Sequence, residues 1–287
     1  MMTAPRPAVP LLSSIAPIAS GYDAWLCDVW GVMHNGVQAF EAAAEACRRF
    51  RESGGTVLLL SNAPRPAHSV QEQIDRIGVS REAYDAILTS GDLTRILISK
   101  RPDQRLFHLG PARDKPMLEG LNLDFVQASE ADLIVCSGLY NDEVETPADY
   151  TKLFEPLVKR GVPMICANPD LAVERGSRLV YCAGALAAEY ARLGGSVTYA
   201  GKPYGPVYDL AFERIAALRG GPVPRERILA IGDGLRTDIR GAADANIASV
   251  FIASAIHVPG TLDSLALEQL FGGADARPIA AMSALAW

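Results

Sequence analysis

Four side chains that could act on a bound ligand stand at the ends of short apolar runs in the sequence. Asp28 follows residues 24–27, Ser61 follows 57–60, Lys202 follows 197–201 and Asp233 follows 228–232. Carboxylates can bind Mg²⁺ or act as nucleophiles, whereas hydroxyl and ammonium groups bind phosphate oxygens. We therefore expect these residues to form one site for a phosphate compound and a divalent cation.

Each of these residues also has an ordinary structural explanation when it is taken alone. Asp28 could cap a turn, Ser61 could cap the helix that follows it, and a lone lysine such as Lys202 is usually solvated. Asn62, next to Ser61, adds an amide and backbone N–H groups at a helix start, where phosphate can bind. Asp238, five residues after Asp233, supplies either an outer-shell cation ligand or a helix cap.

Short β-rich runs alternate with helical stretches along most of the chain, which predicts an α/β fold. Several runs are apolar throughout, as expected for strands that are buried on both faces of a parallel sheet. We predict strands at 24–30, 56–61, 86–89, 105–109, 133–136, 163–168, 196–200, 228–232 and 248–252. We predict helices at 40–52, 65–77, 92–98, 146–160, 185–193, 207–218 and 237–245.

Ligands of an open parallel sheet bind beyond the carboxyl ends of its strands, where the four residues above are expected. The proline-bearing stretch 100–104 and the region 194–201 are typical of crossings between domains. We therefore predict a doubly wound, Rossmann-like parallel-sheet core from residues 1–98 and 199–287. An inserted α/β cap of residues 99–198 would complete the chain.

Composition narrows the class of partner. The 287 residues are 49% hydrophobic and carry a net charge of −6, without a run of lysine or arginine. This argues against non-specific binding to nucleic acid or to an anionic membrane and favours a small-molecule partner.

Five cysteines without a CxxC pair predict reduced thiols in a cytoplasmic protein and no zinc site. Residues 1–20 lack the pattern of a secretion signal. The oligomeric state stays open, a homo-oligomer included.

The order of the motifs carries more information than any one of them. An aspartate after the first strand is followed by Ser61-Asn62, a distant Gly201-Lys202-Pro203 and a Gly-Asp-x-x-x-Thr-Asp segment at 232–238. Together they resemble the four motifs of the haloacid dehalogenase superfamily. The closer resemblance is to subclass IIA, which contains sugar-phosphate, nucleotide and p-nitrophenyl phosphatases with a large cap. Segments 88–90, 167–170 and 182–185 look like further landmarks of that group.

The resemblance implies hydrolysis of a small phosphorylated metabolite through an aspartyl-phosphate on Asp28. Lys202, with Ser61 and Asn62, would hold the phosphoryl oxygens. Mg²⁺ would be bound by Asp28, the backbone carbonyl of Trp30 and Asp233, with Asp238 in its outer shell.

The cap would supply substrate contacts from Asn168, Asp170 and Gly184. Alternatively, residues 168–170 form only a turn, and Gly184 lies only at the start of a helix.

The first motif departs from the family pattern, which is Asp-x-Asp-Gly. The second aspartate of that pattern protonates the leaving oxygen and activates water, but Trp30 stands there, and an indole only donates a hydrogen bond. Three alternatives follow. Another residue acts as the acid/base, with His34 as a candidate, or the enzyme favours substrates such as aryl and acyl phosphates, whose leaving groups need no protonation. In the third, the protein binds phosphate compounds without efficient turnover. Metal-independent dehalogenases of the superfamily also place an aromatic residue there; Lys202 and the 232–238 motif favour phosphoryl chemistry.

Overall fold

Apolar runs of the sequence form the strands of two sheets in the computed structural model, which describes residues 8–175, 178–253 and 260–287. Residues 1–7, part of the segment considered as a targeting signal, lie outside the described residues. The strands are β1 Ala24–Cys27, β2 Thr56–Ser61, β3 Ala86–Thr89, β4 Arg105–Leu109, β5 Asp124–Phe125, β6 Leu133–Cys136, β7 Met164–Cys166, β8 Ala172–Arg175, β9 Arg178–Tyr181, β10 Val197–Tyr199, β11 Ile228–Gly232, β12 Ala248–Ile252 and β13 Ala280–Met282.

Helices connect most of these strands. They are α1 Ala16–Ala19, α2 Glu41–Glu52, α3 Ala67–Ile77, α4 Ser90–Ser99, α5 Thr151–Lys159, α6 Ala183–Arg192, α7 Gly205–Arg219, α8 Arg240–Asp244 and α9 Ser264–Phe271. Short 3₁₀ segments occur at Arg81–Ala83, Ala112–Leu118, Ala128–Glu130, Pro147–Tyr150 and Arg225–Arg227, and a π-helical turn occurs at Leu235–Ile239.

The chain divides into two compact units, the first of which comprises residues 1–60, 74–87 and 211–287. Its sheet has the strand order β13-β12-β11-β1-β2-β3. Strand β1 pairs in parallel with both β11 and β2, so that Cys27 lies opposite Ile231 and Leu59. The chain order reverses between β1 and β11, which makes that position the topological switch point of the sheet. Trp25 of β1 stacks on Phe50 with ring centroids 3.9 Å apart.

The second unit comprises residues 61–73 and 88–210. Its sheet has the order β10-β7-β6-β4-β5, with parallel pairing throughout, and β8 and β9 form a separate antiparallel ribbon. The chain order reverses here between β4 and β6. The core of the unit includes Phe154 and Tyr190, whose rings meet edge to face at 5.2 Å.

The α/β class and the parallel sheets are as predicted, and strands β2, β3, β4, β6, β11 and β12 have the predicted bounds. The predicted strand 24–30 is too long, because the chain leaves the sheet after Cys27 and turns back through the Trp30–His34 bridge. The predicted strands 163–168 and 196–200 shorten to β7 and β10.

Several predicted helices also differ in their bounds. Helix 92–98 begins at Ser90, because Thr89 and Asp92 form a capping box there. Helix 146–160 divides into the 3₁₀ segment Pro147–Tyr150 and α5. Helix 237–245 begins as the π-helical turn and continues as α8, and the predicted helices 40–52, 65–77, 185–193 and 207–218 shift by up to two residues at their ends. Strands β5, β8, β9 and β13 and helices α1 and α9 were not predicted.

Within the described residues, no helix is long and apolar enough to cross a membrane. The five cysteines are buried and form no disulfide in this part of the chain. A division into a core of 1–98 with 199–287 and a cap of 99–198 stays a prediction.

Candidate functional site

Three carboxylates come together in the first unit. Asp28 follows β1, Asp233 follows β11, and Asp238 lies in the π-helical turn; one oxygen from each lies within 4.8 Å of the others. Asp28 and Asp238 are 8% and 5% exposed. Strands β1 and β11 flank the switch point of their sheet, which explains why residues about 200 positions apart meet there.

Two glycines provide the space that these carboxylates occupy. A Cβ at Gly31 would lie 2.3 Å from Oδ2 of Asp233, and a Cβ at Gly232 would lie 2.2 Å from Cγ of Asp238. The backbone N–H of Gly234 donates to Oδ2 of Asp238 at 3.1 Å. Asp238 is therefore held at the start of its own helix and still faces Asp28 and Asp233. A role as a helix cap and a role near the cation are thus compatible for this residue.

This donor set fits a hard divalent cation. Mg²⁺ prefers oxygen ligands and is usually held by a small number of carboxylates together with water. Three carboxylates that are this close and mostly buried repel one another unless a positive charge offsets them. Asp28, Asp233 and Asp238 are thus the residues that would hold Mg²⁺.

The glycine at position 31 offers a test of this arrangement. We expect Gly31→Ala to weaken Mg²⁺ binding by about tenfold or more, since the new methyl group must displace the Asp233 carboxylate and misplaced supporting groups cost metal sites that much. Isothermal titration with Mg²⁺ measures the change. Gly54→Ala is the matched control, because Gly54 has φ +94°, close to the +91° of Gly31, and open space around its Cβ position. Equal Mg²⁺ affinities in the two variants would contradict the assignment.

Trp30 and His34 pack against each other in the loop after β1. Their rings meet edge to face at 5.1 Å, and a Cβ at Gly36 would lie 2.4 Å from the Trp30 ring. His34 is 2% exposed, and its Nδ1 accepts a hydrogen bond from the Gly36 N–H at 2.8 Å. The loop is thus built around the indole, and Nδ1 of His34 is engaged by the backbone of the same loop.

The predicted phosphate-binding residues lie in the second unit, where Asn62 has an unexpected role. Its amide nitrogen donates to Oδ1 of Asp170 at 2.9 Å and to the carbonyl of Lys202 at 3.1 Å. Its amide oxygen accepts from the Lys202 N–H at 2.8 Å and from the Ser90 hydroxyl at 3.3 Å. An amide side chain can make four such bonds. Asn62 therefore fixes the backbone at Lys202, and the hydrogen-bonding capacity of its side-chain amide is used within the protein.

Ser61 and Lys202 are both buried. The Ser61 oxygen accepts from the Ala63 N–H at 3.1 Å, so its hydroxyl proton can be donated elsewhere. The turn interpretation and a phosphate-binding role are therefore compatible for Ser61. Lys202 is 3% exposed, which excludes the alternative of an ordinary solvated lysine.

The three predicted cap residues form one packed corner. The Asp170 N–H donates to Oδ1 of Asn168 at 3.0 Å, which confirms a local turn. The Gly184 N–H donates to the Asp170 carbonyl at 3.1 Å, and a Cβ at Gly184 would lie 2.2 Å from the Pro169 carbonyl oxygen. Through Asp170 this corner supports Asn62, so the turn helps to hold the segment that is predicted to bind phosphate.

Ser90 belongs to the same network but was assigned no role from the sequence. It is fully buried, and its hydroxyl faces Gly201, where a Cβ would lie 2.2 Å from Oγ. The sequence signal that could have identified Ser90 was its place in the segment 88–90, which resembles a segment typical of the subclass.

Comparisons with known proteins agree with the fold. Residues 25–124 match the family model described as haloacid dehalogenase-like hydrolase, and residues 199–270 match a second model described as HAD-hydrolase-like. A haloacid dehalogenase-like hydrolase from Brucella suis 1330 is 45% identical, with a TM-score of 0.85 over 96% of this chain and 99% of that one.

More distant relatives have named activities. The ribonucleotide monophosphatase NagD of Escherichia coli (strain K12) is 24% identical over 250 residues, which cover 84% of this chain and 91% of that protein. A 4-nitrophenylphosphatase from Thermotoga maritima has the same fold, with a TM-score of 0.72 and 24% identity over 93% of this chain and 96% of that one. Taken with the Asp28, Ser61, Lys202 and Asp233 motifs, these matches establish that the chain belongs to the haloacid dehalogenase-like hydrolases, in subclass IIA.

Proposed function

We propose that the chain is a Mg²⁺-dependent phosphatase that hydrolyses small phosphate monoesters through an aspartyl-phosphate on Asp28. The observation that carries the proposal is the group of three carboxylates at the switch point of the first sheet, with Asp28 among them. The names of two relatives, a ribonucleotide monophosphatase and a 4-nitrophenylphosphatase, support a phosphate ester as the substrate.

In the first step, an Asp28 carboxylate oxygen forms a bond to phosphorus while the bond from phosphorus to the leaving oxygen breaks. In the second step, water attacks the phosphorus, phosphate is released and the Asp28 carboxylate is restored. Asp233 and Asp238 hold the cation with Asp28, and the Trp30 carbonyl is proposed as a further ligand. When bound, Mg²⁺ supplies positive charge that offsets the repulsion between a phosphate dianion and a carboxylate.

The phosphoryl oxygens are proposed to be bound by the Ser61 hydroxyl, the Asn62 backbone N–H and the Lys202 ammonium group. Asn62 supports this role, because its side-chain amide is hydrogen-bonded to both the N–H and the carbonyl of Lys202. A buried lysine that remains charged is a strong partner for a phosphoryl group, because the surroundings screen it little. We propose two roles for Asn168, Asp170 and Gly184. They contact the substrate, and through the hydrogen bond from Asn62 to Asp170 they help to hold Asn62 in place.

Protonation of the leaving oxygen is the step for which the first motif lacks a carboxylate. We propose that the chain favours aryl and acyl phosphates, whose leaving groups depart without a proton. For alkyl esters His34, which packs against Trp30 in the same loop, is the candidate acid/base.

A second candidate function is the binding of phosphate compounds with little turnover. Trp30 favours it, because the loop is packed around the indole. A dehalogenase is the less favoured alternative, since the Asp28, Asp233 and Asp238 group suits a metal that such enzymes do not use.

The cysteines support a reducing, cytoplasmic setting. Burial raises the pKa of the Cys136 thiol to about 12 and also raises the pKa of Cys166 and Cys182, so these thiols stay protonated and unreactive at neutral pH.

A phosphatase screen tests the proposal. The purified chain is assayed with Mg²⁺ against p-nitrophenyl phosphate, acetyl phosphate, nucleoside monophosphates and sugar phosphates. We expect hydrolysis that EDTA abolishes and added Mg²⁺ restores. Tight binding of phosphate compounds without turnover of any ester would support the binding function, and hydrolysis insensitive to EDTA would contradict the role of the carboxylates.

A further inference from the structure

The loop that follows β1 contains an Asn-Gly pair, the dipeptide in which a backbone nitrogen most readily attacks the preceding side chain. Asn35 precedes Gly36, and none of the other asparagines in the sequence is followed by glycine. Asn35 is exposed, and Gly36 has φ +90°. Because glycine has no Cβ, its nitrogen can be approached closely. The Gly36 nitrogen and Cγ of Asn35 can therefore close a succinimide ring.

Two backbone N–H groups hold the side-chain oxygen of Asn35. Its Oδ1 accepts from the Val37 N–H at 3.0 Å and from the Gln38 N–H at 2.8 Å. When a nucleophile adds to Cγ, negative charge develops on this oxygen. Preorganised donors at such an oxygen form an oxyanion hole, which is usually the largest single contribution to catalysis of acyl transfer. The loop thus favours attack at Cγ of Asn35.

The attacking nitrogen has a proton acceptor beside it. The Gly36 N–H donates to Nδ1 of His34 at 2.8 Å. An amide nitrogen becomes a good nucleophile only as it loses this proton, and a positioned acceptor lowers the barrier to that loss. His34 is buried, and its ring meets the Trp30 ring edge to face, so the acceptor is held in place. Nucleophile, acceptor and oxyanion donors therefore all come from one short loop.

We propose that Asn35 is a self-modification site, where the protein forms a succinimide and then an aspartate or a β-linked isoaspartate. In the first step, the Gly36 nitrogen forms a bond to Cγ of Asn35 while the bond from Cγ to the side-chain nitrogen breaks. The Gly36 proton passes through Nδ1 of His34 to the departing nitrogen, which leaves as ammonia. In the second step, water opens the ring. Cleavage at Cγ gives aspartate, and cleavage at the Asn35 backbone carbonyl gives isoaspartate.

The isoaspartate product changes the loop that carries Trp30. Its main chain runs through Cβ and Cγ and is one carbon longer, so Gly36 must move. Gly36 packs tightly on the Trp30 ring, since a Cβ there would lie 2.4 Å from it. The Gly31 N–H donates to the His34 carbonyl at 2.8 Å, and Gly31 lies against the Asp233 carboxylate. We therefore expect the modification to lower activity; this consequence rests on the proposed function, whereas the modification does not.

Mass spectrometry of the native chain tests the modification. The purified chain is incubated at neutral pH in ¹⁸O-labelled water, which the ring-opening step incorporates, and is compared with a synthetic peptide of residues 32–40. We expect the folded chain to deamidate at Asn35 about tenfold faster than the peptide, a small part of the ~10²–10⁴ that a positioned proton acceptor contributes. Equal or slower deamidation in the folded chain would overturn the inference.

Asn141 is the internal control in the same digest. It is also exposed, and its Oδ1 accepts from the Glu143 N–H at 3.2 Å. Asp142 follows it, so the attacking nitrogen there belongs to a residue with a side chain. We expect deamidation at Asn141 to be at least about tenfold slower than at Asn35, because one further donor to an oxyanion contributes up to ~10²–10³. Similar rates at the two positions would show that exposure alone is sufficient and would contradict the proposed site.

His34→Gln tests the proton acceptor separately from the rest of the loop. A glutamine side chain can accept a hydrogen bond, but its amide does not take up a proton at neutral pH. We expect the rate at Asn35 in this variant to fall to about that of the peptide. An unchanged rate in a folded variant would exclude His34 as the acceptor. If His34→Gln does not fold, the comparisons with the peptide and with Asn141 decide the inference.

The effect on activity is measured on aged protein. Ion exchange separates the modified chain by its additional negative charge. We expect this fraction to hydrolyse p-nitrophenyl phosphate about tenfold more slowly, since small displacements near a reacting centre cost up to ~10² in rate. Asn35→Gln, which cannot form the five-membered ring, should keep its activity during the same incubation. A modified fraction as active as the fresh chain would overturn this consequence. No hydrolysis by the fresh chain would count against the proposed function and leave the modification to be judged by mass spectrometry.

Discussion

Asp28→Asn is expected to lower kcat for p-nitrophenyl phosphate by about 10⁴-fold or more, as the loss of a covalent nucleophile does in other enzymes. An amide keeps the shape of the side chain but cannot form a stable bond to phosphorus. Steady-state assays with saturating Mg²⁺ measure the loss, and thermal unfolding checks that the variant is folded.

Asp244→Asn is the control for the Asp28 substitution. Asp244 is a half-exposed residue of the same unit whose carboxylate pairs with Arg240 at 2.8 Å. Surface pairs of this kind contribute little to stability, so activity should stay within about twofold of the native value. If Asp28→Asn retained turnover comparable to this control, Asp28 would not be the nucleophile.

Trp30→Asp is expected to raise kcat for an alkyl phosphate such as glycerol 1-phosphate by about 10²-fold or more, since a positioned acid/base contributes ~10²–10⁴ in rate. Acetyl phosphate should be affected much less, because its leaving group departs without a proton. The ratio of the two rates, measured in one preparation, reports the acid/base contribution independently of the active fraction.

Trp30→Phe is the control here, since it keeps an aromatic ring in the loop and adds no carboxylate. Both variants lose part of the packing on Gly36 and His34, and we expect a loss of about 2 kcal/mol in the free energy of unfolding for this half-buried ring. If Trp30→Asp leaves the rate ratio unchanged while folded, another residue already supplies the proton. His34→Gln would then be the next variant to assay.

Most of the strands whose bounds could be predicted to the residue are buried throughout and consist largely of apolar residues. Strand β2, with its six buried residues, and β11, with five, are examples. The β8–β9 ribbon could not be found in this way, because its register pairs Arg175 with Arg178 and places polar and apolar residues in no clear alternation. Strand β13 is only three residues long.

The acidic group was predictable because each aspartate follows or lies near a strand end in an order typical of the family. The sequence did not reveal the π-helical turn that brings Asp238 to Asp28, nor the use of Asn62 as a support. Asn62 meets Asp170 and Lys202, which are 108 and 140 residues away.

The hydrogen bond between His108 and Ser137 shows the same limit. The histidines of this chain are scattered in the sequence, and Ser137 is 29 residues from His108. Only the parallel pairing of β4 with β6 brings the two side chains together. Contacts that depend on the register of non-consecutive elements leave no local pattern in a single sequence.

The central claim, a covalent phosphate on Asp28, can be tested by chemical trapping. The chain is mixed with acetyl phosphate or p-nitrophenyl phosphate and Mg²⁺, quenched in acid during turnover, and treated with borohydride, which reduces an aspartyl-phosphate to homoserine. Peptide mass spectrometry should find homoserine at position 28 and aspartate at positions 233 and 238. Turnover without homoserine at position 28, or with homoserine at another aspartate, would contradict the proposed mechanism.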